Sequence, residues 1–342
     1  MIHLSANTAD DVWRQAAGLF GPSGPAVSQD GRGGETLEVL HAVLCITDPR
    51  ERWVLSRVPA LNPAFALVEV IWILAGRQDA ALPTFWNPQL PRFAGDAPEQ
   101  AGAYGYRLRV HFGLDQLDRA WRVLESTPDT RQVVLQIWDP RDDLPQSDGT
   151  PQRPEIPCNV AAFPKVRGGR LEWLQVLRSN DVFRGLPYNI VQFTALQEVL
   201  AGWLGVELGE YVHVSDSLHA YKVDVDAVRQ RTLPTNSVLR STDTLALDRV
   251  TSDRVIPNVA ARLDALAAPS LVEPALRSLA LQSSVPEGYE NLIRIAAADS
   301  ARRRGWHDAM SACREACSNP VLCEAWDRWE ARETRPRTTE IA

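Results

Sequence analysis

Residues 170–204 read RLEWLQVLRSNDVFRGLPYNIVQFTALQEVLAGWL, and within them the periodicity changes. Up to about residue 178 apolar and polar side chains alternate, which predicts a strand. From about Asn189 to Trp203 apolar residues recur at helical spacing. The junction between them packs Arg, Ser, Asp, Gly and Asn into one short segment. A second strand is expected just upstream, over about 159–166. It follows IPCNV (156–160), where a cysteine stands directly after a proline among polar neighbours. Proline fixes the backbone just ahead of that cysteine.

Working outward, residues 1–20 suggest a short amphipathic helix, and 21–35 (GPSGPAVSQDGRGGE) a Gly/Pro-rich loop with one cation, Arg32. Segments 36–46 and 53–58 read as strands. Asn62 caps an apolar helix that runs to about residue 75 and ends at Gly76. Residues 77–110 are loop-rich, with aromatics at Phe85, Trp86, Tyr104 and Tyr106. Leu114, Leu117, Trp121 and Leu124 form one helical stripe, and 130–139 reads as a strand. Residues 140–155 form a loop, and a strand is expected over 211–215. Residues 224–285 lack regular patterning, 286–332 are helical in pattern, and the end is a polar tail. No internal repeat is visible. The sum is an α+β chain, read as a single unit over 1–342: a core over about 25–225, then an irregular segment and a helical C-terminal extension.

Bulk properties narrow the function. The 342 residues are 45% hydrophobic and include eleven Trp, so a sizeable core is available. A net charge of −7 argues against binding to nucleic acid or an anionic membrane, which needs a basic face. The longest apolar stretch, 64–76, is shorter than the roughly 20 residues that span a bilayer and carries Glu69 in its middle. The N-terminus shows no basic region followed by an apolar run, so a cytoplasmic protein is expected. Five cysteines without a secretory signal argue against a disulfide framework. Cys313, Cys317 and Cys323 have no His at ligand spacing, and no metal site is expected.

Two residues stand out chemically. Cys158 would react as a thiolate, and nearby cations lower a thiol pKa. Arg178 and Arg131 each lie on an expected strand that could flank the Pro157–Cys158 turn. Glu69 has only apolar helical neighbours three and four positions away: Phe65, Ala66, Trp72 and Ile73. A carboxylate there has a raised pKa and suits proton transfer near neutrality.

The segment PCNVAAFPKV…GGRLEWLQVLRSNDVFRGLPYNIVQFTALQEVLAGWLGVELGEYVHV…HAY closely resembles the thymidylate synthase family in order and spacing from Cys158 to Tyr221. Upstream, RGGETLEV, LVEVIWILAG, GAYGYRLR and PDTRQVVLQIWD resemble the family's phosphate loop, Glu-bearing helix, Tyr-Gly motif and Arg-bearing strand. The resemblance covers roughly residues 25–225. It implies a mixed β-sheet packed with helices, and a homodimer formed through the sheet. It also implies one-carbon transfer from 5,10-methylenetetrahydrofolate to C5 of a pyrimidine nucleoside monophosphate. By resemblance, Cys158 is the nucleophile that adds to C6, Glu69 relays protons near O4, and Tyr104 assists loss of the C5 proton. Asn189 would read the base edge, and His219 and Tyr221 would hold the sugar hydroxyl. Arg32, Arg178 and Ser179 would bind the 5′-phosphate, with Arg131 reaching over from the other subunit. Asp181 would bind the pterin ring, with Gly185 and Trp86 also on the folate side.

Several positions depart from the methylating members of that family. Asn159 stands where they have His, Leu177 where they have Gln, Gln132 where they have Arg, and Ser215–Ser217 (SDS) where they have Gly-Gly-Asp. Val223 replaces an Asn, and the chain ends RPRTTEIA instead of in a short apolar tail. The nucleophile, proton relay and pterin Asp remain. That combination favours 5-hydroxymethylation of a (d)UMP- or (d)CMP-type nucleotide over methylation of dUMP to dTMP. An inactive nucleotide- or RNA-binding homologue is the third reading, against which Cys158, Glu69 and Asp181 argue together. Asn189 taken alone favours uracil. Base, sugar and product stay open.

Overall fold

A computed structural model describes residues 1–31, 33–230 and 239–334. Seven strands among these residues form one mixed sheet. They are β1 (Ile2–Ala6), β2 (Val27–Gly31), β3 (Gly34–Ile46), β4 (Leu135–Gln136), β5 (Asn159–Arg167), β6 (Arg170–Asp181) and β7 (Glu207–Tyr221). The order across the sheet is β1-β3-β7-β6-β5-β4, and β2 pairs with β3. β5 and β6 form a hairpin turned at Gly168 and Gly169, both with positive φ, a conformation that suits residues without a Cβ. β6 and β7 run parallel, so their connection must cross over, and the helix Leu186–Leu204 supplies that crossover.

This helix is apolar nearly all round and is correspondingly buried along most of its length. Pro187 sits in its first turn and Gly205 takes the left-handed conformation just past its end. It therefore starts before the expected Asn189 and leaves that residue one turn in. The helix Pro63–Leu74 packs on it. As expected, Asn62 caps that helix, its side chain accepting from the Phe65 N–H at 3.1 Å.

Adjacent strands break regularity along one line. The paired residues skip His41 in β3, Asp216 in β7 and Arg178 in β6, and the β5–β6 register shifts between Asn159 and Ala161. His41 has φ 57°, and its imidazole meets the Asp216 carboxylate at 2.8 Å. Where these pairs are missing, the alternation of inward and outward side chains slips by one residue. In β6 the buried positions are 171, 173, 175 and 177, then 180; in β7 they are 209, 211, 213 and 215, then 218 and 220. Beyond the line, Ser179, Asp181, His219 and Tyr221 thus keep accessible surface while Asn180 turns inward.

Other differences from the sequence expectation have local causes. Residues 1–20 are not one helix: Ile2–Ala6 forms β1, parallel to β3, and a helix Ala9–Gly18 follows, capped by Thr8. Residues 53–58 form no strand. Most of them are buried, and Ser56 is held through its N–H and hydroxyl by Asp10, at 2.7 and 2.8 Å. Only Leu135–Gln136 of 130–139 pairs as a strand. There the Gln116 side chain takes both the N–H and the C=O of Gln136, at 2.7 and 2.9 Å, and occupies the next ladder position. The strand expected over 211–215 extends from Glu207 to Tyr221. Short helices Ala81–Trp86, Pro91–Ala94, Tyr104–Tyr106 and Pro140–Asp143 punctuate segments expected as loop.

The largest correction is in 224–285, which contains helices Arg249–Ala267 and Glu273–Leu281. Pro257 lies inside the first. Arg262 clasps Glu290 of the following helix Glu287–Arg303 through two N–H groups, at 3.1 and 2.9 Å. The helices His307–Ala316 and Pro320–Thr334 complete the C-terminal part, whose helical character was expected. Cys313 and Cys317 are buried there as packing residues. One contiguous apolar cluster runs from Ala9 to Trp329 and draws on both the sheet and these helices. The polar tail from 335 lies outside the described residues. No helix among the described residues is long and apolar enough to cross a membrane.

Glu198 of the crossover helix ties the two parts together. It is 1% exposed and accepts from Arg52, from Arg50 at 3.2 Å, from the Thr244 hydroxyl at 2.6 Å and from the Leu245 N–H at 3.2 Å. Burial alone would raise its pKa, but Arg52, Thr244 and Arg50 hold it below the ordinary value. Replacing Glu198 by Leu leaves Arg52 buried without its counter-charge, which costs about 3–5 kcal/mol. Urea denaturation of Glu198→Leu is expected to show a lower midpoint with an unchanged slope.

Candidate active site

The site grows from the junction where β5 begins and β6 changes face. Cys158, half-buried and outside any disulfide, precedes the first residue of β5. Arg178, at that change of face in β6, clamps its turn from three directions. Its backbone N–H donates to the Cys158 carbonyl at 2.9 Å, its Nε to Pro157 at 3.0 Å and a terminal N–H to Ile156 at 3.1 Å. Two of the five guanidinium N–H donors are thereby committed, and the exposed remainder is available for an anion.

Tyr104 stands beside the cysteine. Burial, and then the neighbouring Cys158, push its phenol well above the ordinary value, while a hydrogen bond from Asn159 opposes the shift. The hydroxyl therefore keeps its proton near neutrality. Its ring packs at 5.7 Å from Phe193 of the crossover helix. Asn159 in turn donates to the Asn189 Oδ1 at 3.4 Å. So the residue after Cys158 touches both Tyr104 and Asn189.

Glu69 projects from the helix Pro63–Leu74 toward the crossover helix, where the Gln192 amide donates to it at 2.9 Å. It keeps a little accessible surface among buried apolar neighbours. Burial pushes its carboxyl up to about 8, and the Gln192 bond opposes this only in part. The expected apolar setting of Glu69 is what the structure holds.

Asp181 ends β6. Its Oδ1 accepts from the N–H groups of Phe183 and Arg184, at 2.7 and 2.8 Å, and its buried Oδ2 has no hydrogen-bond partner among the described residues. Burial raises its pKa, against the pull of those N–H groups and of His219. A buried carboxylate oxygen with no donor is costly unless a ligand supplies one.

Ser179 and His219 face each other across β6 and β7, with Oγ and Nδ1 3.4 Å apart. The His219 and Tyr221 rings stand edge to face at 5.6 Å, and Arg184 covers Tyr221 at 5.0 Å. The β2–β3 turn closes over this end: a Cβ on Gly33 would lie 2.7 Å from the Tyr221 hydroxyl, so any side chain there would push the Tyr221 ring aside. Arg32, in that turn, lies outside the described residues.

Three expected residues stand apart. Arg131 is exposed ahead of β4, and among the described residues no hydrogen bond or ion pair joins it to the cysteine's surroundings. Trp86 is fully buried against Phe85 and presents no ring face to a ligand. Gly185 is packed against the Asn180 and Asn189 side-chain amides, at 3.1 and 3.7 Å from a notional Cβ. Elsewhere, His111, Asp139 and Asp142 gather their ligand atoms within 4.8 Å. Arg141 and Arg153 pair with the two aspartates, at 3.0 and 3.2 Å, so the group is an ion-pair network around the Pro140–Asp143 turn.

Sequence reasoning overlooked Gln192, Asn180, Gln175 and His213. One signal was available: polar side chains at inward-facing strand positions 175 and 213, and at 192, three residues beyond Asn189 on the helix.

Residues 28–253 match the sequence pattern of the family described as thymidylate synthase. Two similar phage proteins, from Bacillus phage SP01 and Pseudomonas phage M6, are each named deoxyuridylate hydroxymethyltransferase. Each is 34% identical to this chain over 207 residues, covering 57% and 60% of it and 53% and 58% of those relatives. The chain thus spans little more than half the length of these relatives. A protein of Leuconostoc mesenteroides named thymidylate synthase is 30% identical over 118 residues, 34% of each chain. With the family pattern running from the β2–β3 hairpin through Cys158 and past the end of β7, the chain belongs to the thymidylate synthase family.

Proposed function

We propose that this protein transfers a one-carbon unit to C5 of a deoxyuridylate-type nucleotide and releases the 5-hydroxymethyl product. The observation that carries the reading is the grouping of an accessible Cys158, clamped by Arg178, with protonated Tyr104 and the Asn159–Asn189 pair. Nucleotide binding alone does not require a nucleophile there. The names of the two phage relatives support hydroxymethylation over methylation.

In this reading the Cys158 thiolate adds to C6, and the C5=C6 electron pair moves toward O4. Glu69, protonated near neutrality, supplies the proton that O4 takes up. Methylenetetrahydrofolate, when bound, supplies the one-carbon unit; the donor-less Asp181 Oδ2 suits an N–H group of its ring system. Trp86 is buried too deeply to stack on that ring as placed. Tyr104 retains its proton, so it passes the C5 proton onward through its hydroxyl and does not take it up as a phenolate. C5 bonds to the carbon of the one-carbon unit, the C5 proton leaves, and that carbon's bond to the folate nitrogen breaks to free tetrahydrofolate; water then adds to the exocyclic carbon as the Cys158 thiolate leaves C6 and the ring double bond is restored.

Arg178 and Ser179 would receive the phosphate, with Arg32 from the β2–β3 turn. His219 and Tyr221 would receive the sugar hydroxyl. A homodimer would bring Arg131 of the second subunit to the phosphate. One sheet face supports dimerisation. Val43, Phe163, Leu174, Val176, Val212 and Val214 are neighbours in register there and only half-buried. An apolar patch of that kind marks an interaction surface.

Three outcomes test the reading. Incubated with methylenetetrahydrofolate and dUMP, the protein is expected to yield a product heavier by one CH2O, with no dihydrofolate formed; a gain of one CH2 with dihydrofolate would make it a methylating enzyme. Cys158→Ser is expected to abolish turnover while dUMP affinity stays within about tenfold, roughly 1.4 kcal/mol; retained turnover contradicts the cysteine's role. Because Glu69 titrates at about 8 and acts as the acid, kcat/KM is expected to fall as pH rises through that value. Glu69→Gln should lower kcat/KM by about 100- to 10,000-fold and lose that limb.

A further inference from the structure

Behind Asn189 a chain of buried side chains runs through the interior. The Trp173 indole N–H donates to Gln175 Oε1 at 3.0 Å, and Gln175 Nε2 donates to Asn159 Oδ1 at 3.0 Å. Asn159 Nδ2 donates to Asn189 Oδ1 at 3.4 Å, and Asn189 Nδ2 to Asn180 Oδ1 at 3.2 Å. The Asn180 amide then meets His213 Nε2 at 2.8 Å, and His213 Nδ1 meets the Tyr211 hydroxyl at 2.9 Å. All seven residues are buried.

Every bond in this chain points the same way, and only one end can set the direction. An indole N–H donates and never accepts. It fixes the Gln175 oxygen toward Trp173. The Ala161 carbonyl, which only accepts, lies 3.4 Å from the Gln175 amide nitrogen and fixes the same orientation. The far end has no such preference. Burial pushes His213 down to about 3, so the ring is neutral, and either of its nitrogens can carry the proton. The Tyr211 hydroxyl donates or accepts as required.

We infer that Gln175, locked between the Trp173 N–H and the Ala161 carbonyl, is a positioning residue that selects uracil over cytosine by fixing which way the Asn189 amide faces. The inference rests on the nucleotide-binding reading above. With its oxygen toward Asn159 and its nitrogen toward Asn180, Asn189 has one lone pair and one hydrogen left. These match N3–H and O4 of uracil. Cytosine presents an acceptor at N3 and a donor at N4, and needs the amide reversed. Reversal would set the Asn189 NH2 against the Asn159 NH2 and its oxygen against the Asn180 oxygen. Unpaired buried polar groups of this kind discriminate strongly between ligands.

Two substitutions that never touch the nucleotide test this. Gln175→Glu offers only acceptors once ionised, so at a pH where it is ionised Asn159, and with it Asn189, must turn over. Gln175→Met removes the lock and leaves both amides free to turn. Affinities for dUMP and dCMP are measured by calorimetry on wild type and both variants, with folding checked by thermal melting. Wild type is expected to prefer dUMP. The dCMP:dUMP dissociation-constant ratio is expected to fall by about tenfold or more in Gln175→Met, and further, toward reversal, in Gln175→Glu. Equal loss of both affinities, an unchanged ratio in Gln175→Met or in ionised Gln175→Glu, whichever folds, or no preference in wild type overturns the inference. A wild type that binds neither nucleotide overturns the functional reading itself, and the inference with it.

Discussion

The line of unpaired positions through His41, Asp216 and Arg178, where the strands change face, is the constraint on which the rest of this molecule depends. A regular strand holds one face inward along its whole length. Had β6 stayed regular past residue 177, Asp181 would turn into the core and Asn180 outward. The change of face reverses this, and one stretch of β6 serves two purposes. Before the change it contributes Trp173, Gln175 and Leu177 to the interior; beyond it, Ser179 and Asp181 reach accessible space. The same residue that marks the change, Arg178, holds the turn carrying Cys158. Strand geometry and the placement of Cys158 are thus one feature.

The site also keeps polar groups where burial disfavours them. Glu69 lies among apolar side chains, Asp181 holds one oxygen without a donor, and amides run in file through the core. Each costs stability unless paired. The amides are paired with one another, which gives them a single direction; Glu69 is partly paired; Asp181 Oδ2 is not. The gradation matches the proposed roles: fixed orientation for the base reader, an easily shifted proton for the acid, and an unpaired acceptor for the ligand.

Much of this was legible in the sequence. The Cys158 turn, the 159–166 and 170–178 strands and the Asn62-capped helix follow from local chemistry. So does the burial around Glu69, because a carboxylate ringed by apolar residues at helical spacing has nowhere else to go. Contacts remote in sequence were not legible. Ile2–Ala6 is a strand because β3 lies alongside it, and residues 53–58 are not one because Asp10 takes up the Ser56 N–H. The helix Arg249–Ala267 was hidden by Pro257 and by a polar, weakly patterned surface. Trp86 looked like a ligand-facing aromatic because the burial of an indole depends on what packs over it. The amide chain was the hardest to see, since its members come from β5, β6, β7 and the crossover helix and meet only in the folded sheet.

The central claim is that Cys158 activates C5 of a pyrimidine nucleotide by adding to C6. Release of tritium to water from dUMP labelled at C5, with methylenetetrahydrofolate present, reads that activation directly and does not depend on which product forms. The account predicts steady release by wild type and none by Cys158→Ala. No release by folded wild-type protein, or equal release by the alanine variant, would contradict it.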